Sequence, residues 1–340
     1  MLLITSPRFG EHVTPPGHPE RPERARVFDE VASGWRARGG KTVEPRPASR
    51  DELARVHDES HLDRIESVAG KPSMLDADTF TSPESYEIAL LAAGATVQAA
   101  EHALRTRETA CALVRPPGHH AERDKAMGFC LYNSVAVAAS AAIASGIERV
   151  AVVDIDVHHG NGTQWIFYDD PRVLYVSSHQ FPFYPGTGAA GETGTGKGTG
   201  FNVNIPMQAG STDADYDLVY RAIAVPVLEQ FKPQLTLISA GYDAHEADPL
   251  ASMRMTANGY GRILERLRAA AAKSGALALV TEGGYDLPAL RDCLESSLSI
   301  LDADGTNFRD DSKSAAQPAP RGERAIAAAR AAAAPYWPGL

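Results

Sequence analysis

A parallel α/β sheet with helices on both faces is the fold class this sequence predicts. Three observations predict it. Short apolar or β-branched runs recur along the 340 residues, helical patterns lie between many of them, and polar residues gather just after the runs. Alternating strand and helix gives a parallel sheet covered on both sides. Such sheets bind their ligands beyond the carboxyl ends of the strands.

The expected strands are 2–5, 111–114, 150–155, 173–177, 201–205, 235–239 and 277–281. The clearest helical patterns are 83–107, 133–145, 213–230 and 256–273. Residues 302–321, rich in Asp, Asn, Ser, Pro and Gly, read as a surface loop. An Ala/Arg run, 325–334, reads as a closing helix stopped by Pro335, with Tyr336 and Trp337 anchoring the tail. No internal repeat and no linker divides the chain, so 1–340 reads as one catalytic domain.

Composition narrows the function. A net charge of −10 argues against a nucleic-acid-binding face. Cys111, Cys130 and Cys293 are sparse and form no CxxC, which suits a reducing cytoplasm. The opening residues 1–8 are too short an apolar stretch for a signal peptide, and 135–147 is too short to span a bilayer. The expectation is a cytoplasmic protein with no membrane or nucleic-acid partner.

Five expected strands run into chemically loaded loops. They lead to Arg115-Pro-Pro-Gly-His119-His120, to Asp154-Ile-Asp156-Val-His158-His-Gly-Asn161, to Ser178-His179, to Gly241-Tyr-Asp243 and to Glu282-Gly-Gly-Tyr285. Buried carboxylates and imidazoles are costly unless something neutralises them. If the chain stays extended past residue 154, Asp154, Asp156 and His158 share one side. A carboxylate and an imidazole two residues apart then grip one cation. Asp plus His suits Zn²⁺, with Fe²⁺ or Co²⁺ as alternatives. Asp243 is the candidate third ligand. A lone D-x-H would be better read as a buried ion pair; the further histidines on the same edge favour the metal.

His119 and His120 are candidate acid–base residues, since imidazole titrates near neutral pH. Each needs an acceptor to fix its tautomer. Asp154 and Asn161 are available. An Asp partner keeps one ring charged, and an Asn partner leaves the other neutral. Tyr285 follows two glycines, so its phenol can approach a developing oxyanion closely; packing is its bland alternative.

Together "HPERPERA" (18–25), "RPPGHHAERDKAMGFCLYNSVAVAA", "DIDVHHGNGTQ", "FYPGTG", "SAGYDAHEADPL", "EGGYDL" and "APYWP" (334–338) span nearly the whole chain. The pattern resembles the zinc-dependent histone deacetylase and acetylpolyamine amidohydrolase family, in its class II-like branch with bacterial histone deacetylase-like amidohydrolases. The resemblance implies the arginase/deacetylase fold with a central eight-stranded sheet. It implies Asp156, His158 and Asp243 as zinc ligands, His120 as general base and later acid, His119 as its electrostatic partner, and Tyr285 as the carbonyl-polarising residue. Asp154 would pair with His119 and Asn161 with His120. It further implies structural K⁺ at two sites, one at Asp154 with backbone of Asp156, His158, Ser177 and Ser178, the other at Phe167, Asp170, Val173 and Phe201. Phe129 and Tyr184 would wall a substrate tunnel, the Gly128 carbonyl would accept the scissile N–H, and Gly283 would also line the site. Arg24 and Cys130 match residues near a channel for acetate release.

The implied substrate is an acetylated lysine side chain of a protein or peptide, or an acetylated polyamine. Leu250 stands where a polyamine-selective branch carries a glutamate, which favours lysine. Asp78, Glu246 and Glu192 are acidic residues available to the rim. The resemblance leaves a homo-oligomer open. Two rivals are weaker. Gly191–Lys197 has P-loop spacing, but Gly198 replaces the Mg²⁺-binding Ser/Thr and a strand follows where a helix must open. An arginase-like two-Mn²⁺ ureohydrolase wants a further carboxylate two residues past His158, where this chain has Gly160.

Overall fold

The computed structural model describes residues 1–302 and 318–340. Ten strands are present among them: β1 (Leu2–Ile4), β2 (Lys41–Val43), β3 (Ser73–Asp76), β4 (Thr79–Thr81), β5 (Ala110–Ala112), β6 (Val150–Asp154), β7 (Val173–Gln180), β8 (Asn202–Met207), β9 (Leu235–Ala240) and β10 (Ala276–Thr281). Eight form one parallel sheet in the order β2-β1-β5-β10-β9-β6-β7-β8. The other two, β3 and β4, make a small antiparallel hairpin.

The central strands are apolar on both sides because both sides are covered. Alternate residues of β6 separate into two cores: Ala151 and Val153 join one, Val150 and Val152 the other. Each such valine contributes about 1.5–3 kcal/mol on burial, so a charge at Val152 or Leu237 would break the sheet. Helix Ser85–Thr106 lies against helix Ser134–Ala144, both alanine-rich and both in the same core as Val150 and Val152. Asn133 caps the second by accepting the Ala136 N–H at 3.0 Å.

All seven expected strands are present, with ends that differ by up to three residues. The sheet's eighth strand, β2, is not visible in the sequence: it is a three-residue edge strand with Lys41 and Val43 exposed. Helices Glu23–Ala37, Glu59–Ser67 and Leu287–Asp302 also lie outside the expected set. The 213–230 pattern is helical throughout but widens into an underwound π turn at Tyr220–Ala224. The expected loop 302–321 is corrected at both ends. Asp302 closes a helix and Pro320 opens another, where its missing N–H is harmless; residues 303–317 of that loop lie outside the described residues. Trp337 anchors the tail by donating to the Gly200 carbonyl at 2.8 Å, whereas Tyr336 is exposed. The Gly191–Lys197 segment runs through a short 3₁₀ turn into β8, with no helix to receive a phosphate. No helix of the described residues is long and apolar enough to cross a membrane.

The register levels the strand ends that matter. Asp154 stands opposite Ser177 on one side and Ser239 on the other, and Thr281 stands opposite Ala240. Four adjacent strands, β5, β10, β9 and β6, therefore release their following loops at one edge.

Candidate active site

The strand β6 stops at Asp154, so the expectation of an extended chain through His158 is corrected. Side chains turn the backbone instead. Asp154 Oδ1 accepts the Asp156 N–H at 3.2 Å, and Asp156 Oδ1 accepts the His158 N–H at 2.8 Å. Ile155 and Val157 drop into the core on the far side. This bent segment brings His158 Nδ1 to 3.1 Å from both Asp156 Oδ1 and Asp243 Oδ2. Donor atoms of all three residues lie within 4.8 Å of one another, and all three are buried.

Two further contacts fix the carboxylates. Asp243 Oδ1 accepts the Val157 N–H at 2.9 Å, and Asp156 Oδ2 accepts the Gly283 N–H at 2.9 Å. Gly283 has to be glycine, since a Cβ there would lie 2.1 Å from Asp243 Oδ2. No Lys or Arg among the described residues pairs with either carboxylate. Burial raises the Asp243 carboxyl, as does the Asp156 charge, while His158 is pushed up to about 10 against its burial by these two carboxylates. The cluster is short of positive charge.

His119 and His120 have their rings 4.0 Å apart. His119 Nδ1 donates to Asp154 Oδ2 at 3.0 Å, and the Tyr175 hydroxyl donates to the same oxygen at 3.0 Å. Burial alone would depress His119, but the charges of Asp156 and Asp154 push it up to about 10. His120 Nδ1 donates to Asn161 Oδ1 at 2.7 Å. The amide is oriented by Glu122, whose Oε1 accepts Asn161 Nδ2 at 2.6 Å. Burial, and then the charges of His119 and His158, hold His120 well below the usual imidazole range. It is therefore neutral, with its proton on Nδ1 and a lone pair on Nε2.

Tyr285 is buried and keeps its proton, because burial raises its phenol. The Arg24 guanidinium lies 5.0 Å from its ring centroid, and Phe129 meets it edge-on at 5.8 Å. Arg24 donates to the Gly284 carbonyl at 2.8 Å and to Glu20 at 3.0 Å, and Glu20 is also forked by Arg115 at 2.7 Å twice. Tyr184 stands edge-on to His120 at 5.2 Å, and the neighbouring Phe183 stacks on His158 at 5.5 Å. Gly128 packs on the His120 ring, and Cys130 Sγ donates to its carbonyl at 3.2 Å. Leu250 lies with Pro249, Val13, His18 and Tyr285 around a groove of about 630 Å³.

The other expected residues fall in three places. Ser177 and Ser178 lie on β7 beside Asp154, with their hydroxyls bonded to His179 and Tyr220 at 2.8 Å each. Phe167, Asp170, Val173 and Phe201 gather at the opposite edge, around the starts of β7 and β8, where the Asp170 carboxylate pairs with Arg172 at 2.6 Å. Glu192 is not free at the rim: it accepts the Gly188 and Ala189 N–H groups and Gln164 Nε2. Glu246 is exposed, and Asp78 accepts the Gly128 N–H at 3.2 Å.

Sequence reasoning missed three acids of the site. Glu122 sets the Asn161 amide. Glu282, fully buried, accepts the N–H groups of Gly118 at 2.6 Å and His119 at 3.1 Å and the Ser239 hydroxyl at 2.9 Å. Asp248 accepts the Tyr285 N–H at 2.6 Å. A charged residue ending the apolar run 277–281 was a signal for Glu282; its partners are more than forty residues away, and no spacing announces them.

A neutral imidazole, a buried phenol and a carboxylate–imidazole donor set at the carboxyl edge of a parallel sheet belong to a hydrolase acting on amides. Comparison with known proteins names the family. The histone deacetylase domain model matches residues 18–301. A probable deacetylase of Archaeoglobus fulgidus is 43% identical over 291 residues, covering 84% of this chain and 81% of that protein. A histone deacetylase-like amidohydrolase of Pseudomonas aeruginosa is 42% identical over 290 residues, covering 81% and 75%. The crystal structure of the HDA15 HD domain superposes with a TM-score of 0.90 at 33% identity, covering 99% of this chain and 97% of that one. The chain belongs to the histone deacetylase family and has its arginase/deacetylase fold.

Proposed function

We propose that this chain is a zinc-dependent deacetylase that hydrolyses the acetyl amide of a lysine side chain in a protein or peptide of the cytoplasm. The observation that carries the reading is the convergence of Asp156, His158 and Asp243 on one point beside a neutral His120. The donor set fits a divalent ion. Among the described residues the two buried carboxylates lack a Lys or Arg partner, and the 3.1 Å nitrogen–oxygen separations are near the edge of about 3.3 Å for a tetrahedron with bonds near 2 Å. Asp156, His158 and Asp243 would hold Zn²⁺, with Fe²⁺ as the alternative. When bound, the ion supplies Lewis acidity that makes water more acidic and the amide carbonyl more electrophilic.

The chain's own residues do the rest. His120 Nε2 takes the proton of the attacking water and later gives it to the leaving amine. His119, held cationic by Asp154, keeps positive charge beside His120 and so lowers its basicity. Tyr285 donates its phenolic hydrogen to the developing oxyanion. Gly128 offers its carbonyl to the scissile N–H. Phe129 and Tyr184 sheath the methylene chain and exclude water. Potassium at the Asp154–Ser177–Ser178 edge and at the Phe167–Asp170–Val173–Phe201 turn would be structural.

Leu250 puts an alkyl group, not a carboxylate, beside the groove over Tyr285, which supports lysine over polyamine. The test is a rate comparison on enzyme stripped of metal and refilled with one ion at a time. Acetyl-lysine peptide should be turned over with Zn²⁺ at a kcat/KM at least tenfold above acetylputrescine. The reverse order would assign the chain to acetylpolyamines. A Leu250→Glu variant should move that ratio toward the polyamine.

A further inference from the structure

Asp248 is buried, and among the described residues every hydrogen bond its side chain makes goes to backbone. Its Oδ2 accepts the Tyr285 N–H at 2.6 Å and the Asp286 N–H at 3.3 Å; its Oδ1 accepts the Leu250 N–H at 3.0 Å. It has no Lys, Arg or His ion-pair partner among the described residues. One carboxylate thus joins two loops, the rim segment after β9 and the segment after β10 that ends in Tyr285.

The backbone around Tyr285 needs such an anchor. Gly283 is pinned at its N–H by Asp156 and at its carbonyl by the Tyr242 N–H at 3.0 Å. Gly284 follows with φ of +117°, open to glycine and strained for other residues. Arg24 and Phe129 touch the ring. The Gly284–Tyr285 peptide is held at its carbonyl by Arg24 at 2.8 Å and at its N–H by Asp248. Hydrogen-bond donors aimed at an oxyanion work only when preorganised, and the Asp248 oxygen accepts the Tyr285 N–H whether or not the carboxyl is ionised.

We infer that Asp248 is a positioning residue for Tyr285, tying the Leu250 rim loop to the phenol. The inference rests on Tyr285 acting as proposed above. The alternative is a scaffold role, in which Asp248 merely steadies the start of helix Leu287–Asp302.

A double-variant cycle separates them. The wild type, Asp248→Ala, Tyr285→Phe and the double variant are assayed on acetyl-lysine peptide with bound zinc counted per chain. Asp248→Ala should lower kcat at least tenfold, with KM within threefold and zinc unchanged. In the Tyr285→Phe background the same change should cost less than twofold. Asp248→Asn keeps one carbonyl oxygen for the Tyr285 N–H but turns an NH₂ toward Leu250, so it should recover most of kcat. If Asp248→Ala does not fold, Asp248→Leu, which fills a similar volume without an acceptor, and its Tyr285→Phe double carry the same cycle. An equal loss in both backgrounds, or a parallel loss of zinc, overturns the inference. A wild type without turnover, or a Tyr285→Phe variant with full turnover, overturns instead the role given to Tyr285.

Discussion

His119 and His120 share a peptide bond, a loop and a burial depth, yet their surroundings drive their protons in opposite directions. Asp154 stands behind one ring and Asn161 behind the other. The anionic partner holds His119 charged up to about 10, and that charge in turn helps depress His120. The difference teaches that neither histidine is an acid or a base by type. The atom 3 Å behind each ring decides, and behind that atom stands another: Tyr175 on Asp154, Glu122 on Asn161.

The comparison breaks first at His120 itself. His120→Ala should lower kcat by about 10³-fold, and His119→Ala by much less, with zinc content unchanged in both. Equal losses would mean that the two rings do the same job. Next comes the partner swap. Giving His120 an anion by Asn161→Asp, with Glu122→Gln so that the new carboxylate ionises, should raise its pKa. The acidic limb of the kcat/KM profile then moves up by about one unit or more. A profile that stays in place would show that His120 is not the titrating base.

The smallest expected effect is at Glu282, the carboxyl beneath the pair. Burial pushes it up to about 7 from an ordinary 4.5. Between those values the folded chain holds a proton that the unfolded chain has released, so stability falls as pH rises through that window. Glu282→Gln cannot ionise and escapes the loss. Its melting temperature relative to the wild type should rise between pH 5 and pH 8; a constant gap would remove the uncompensated charge from the account.

The sheet was legible in the sequence because its central strands are buried on both faces and read as unbroken apolar runs, Val150–Val153 and Leu277–Val280 among them. Lys41–Val43 was not legible: an exposed edge strand of three residues has no pattern to carry. The site was legible where residues from one loop cluster in the chain, as His119, His120, Asp156 and His158 do. Glu122 and Asp248 were opaque for the opposite reason. Each acts on a backbone or amide group delivered by another loop, Asn161 for Glu122 and Tyr285 for Asp248, and only the fold makes them neighbours. The extended geometry expected through His158 failed because Asp154 and Asp156 use their own side chains to bend the backbone, a local competition that alternation ignores.

Metal content per chain tests the central claim most directly. Purified enzyme should hold one zinc, or one Fe²⁺, per chain. Asp243→Ala, which removes the ligand most distant in sequence from the other two, should lose that metal together with turnover of acetyl-lysine peptide. Two ions per chain, or full metal and activity in Asp243→Ala, would contradict it.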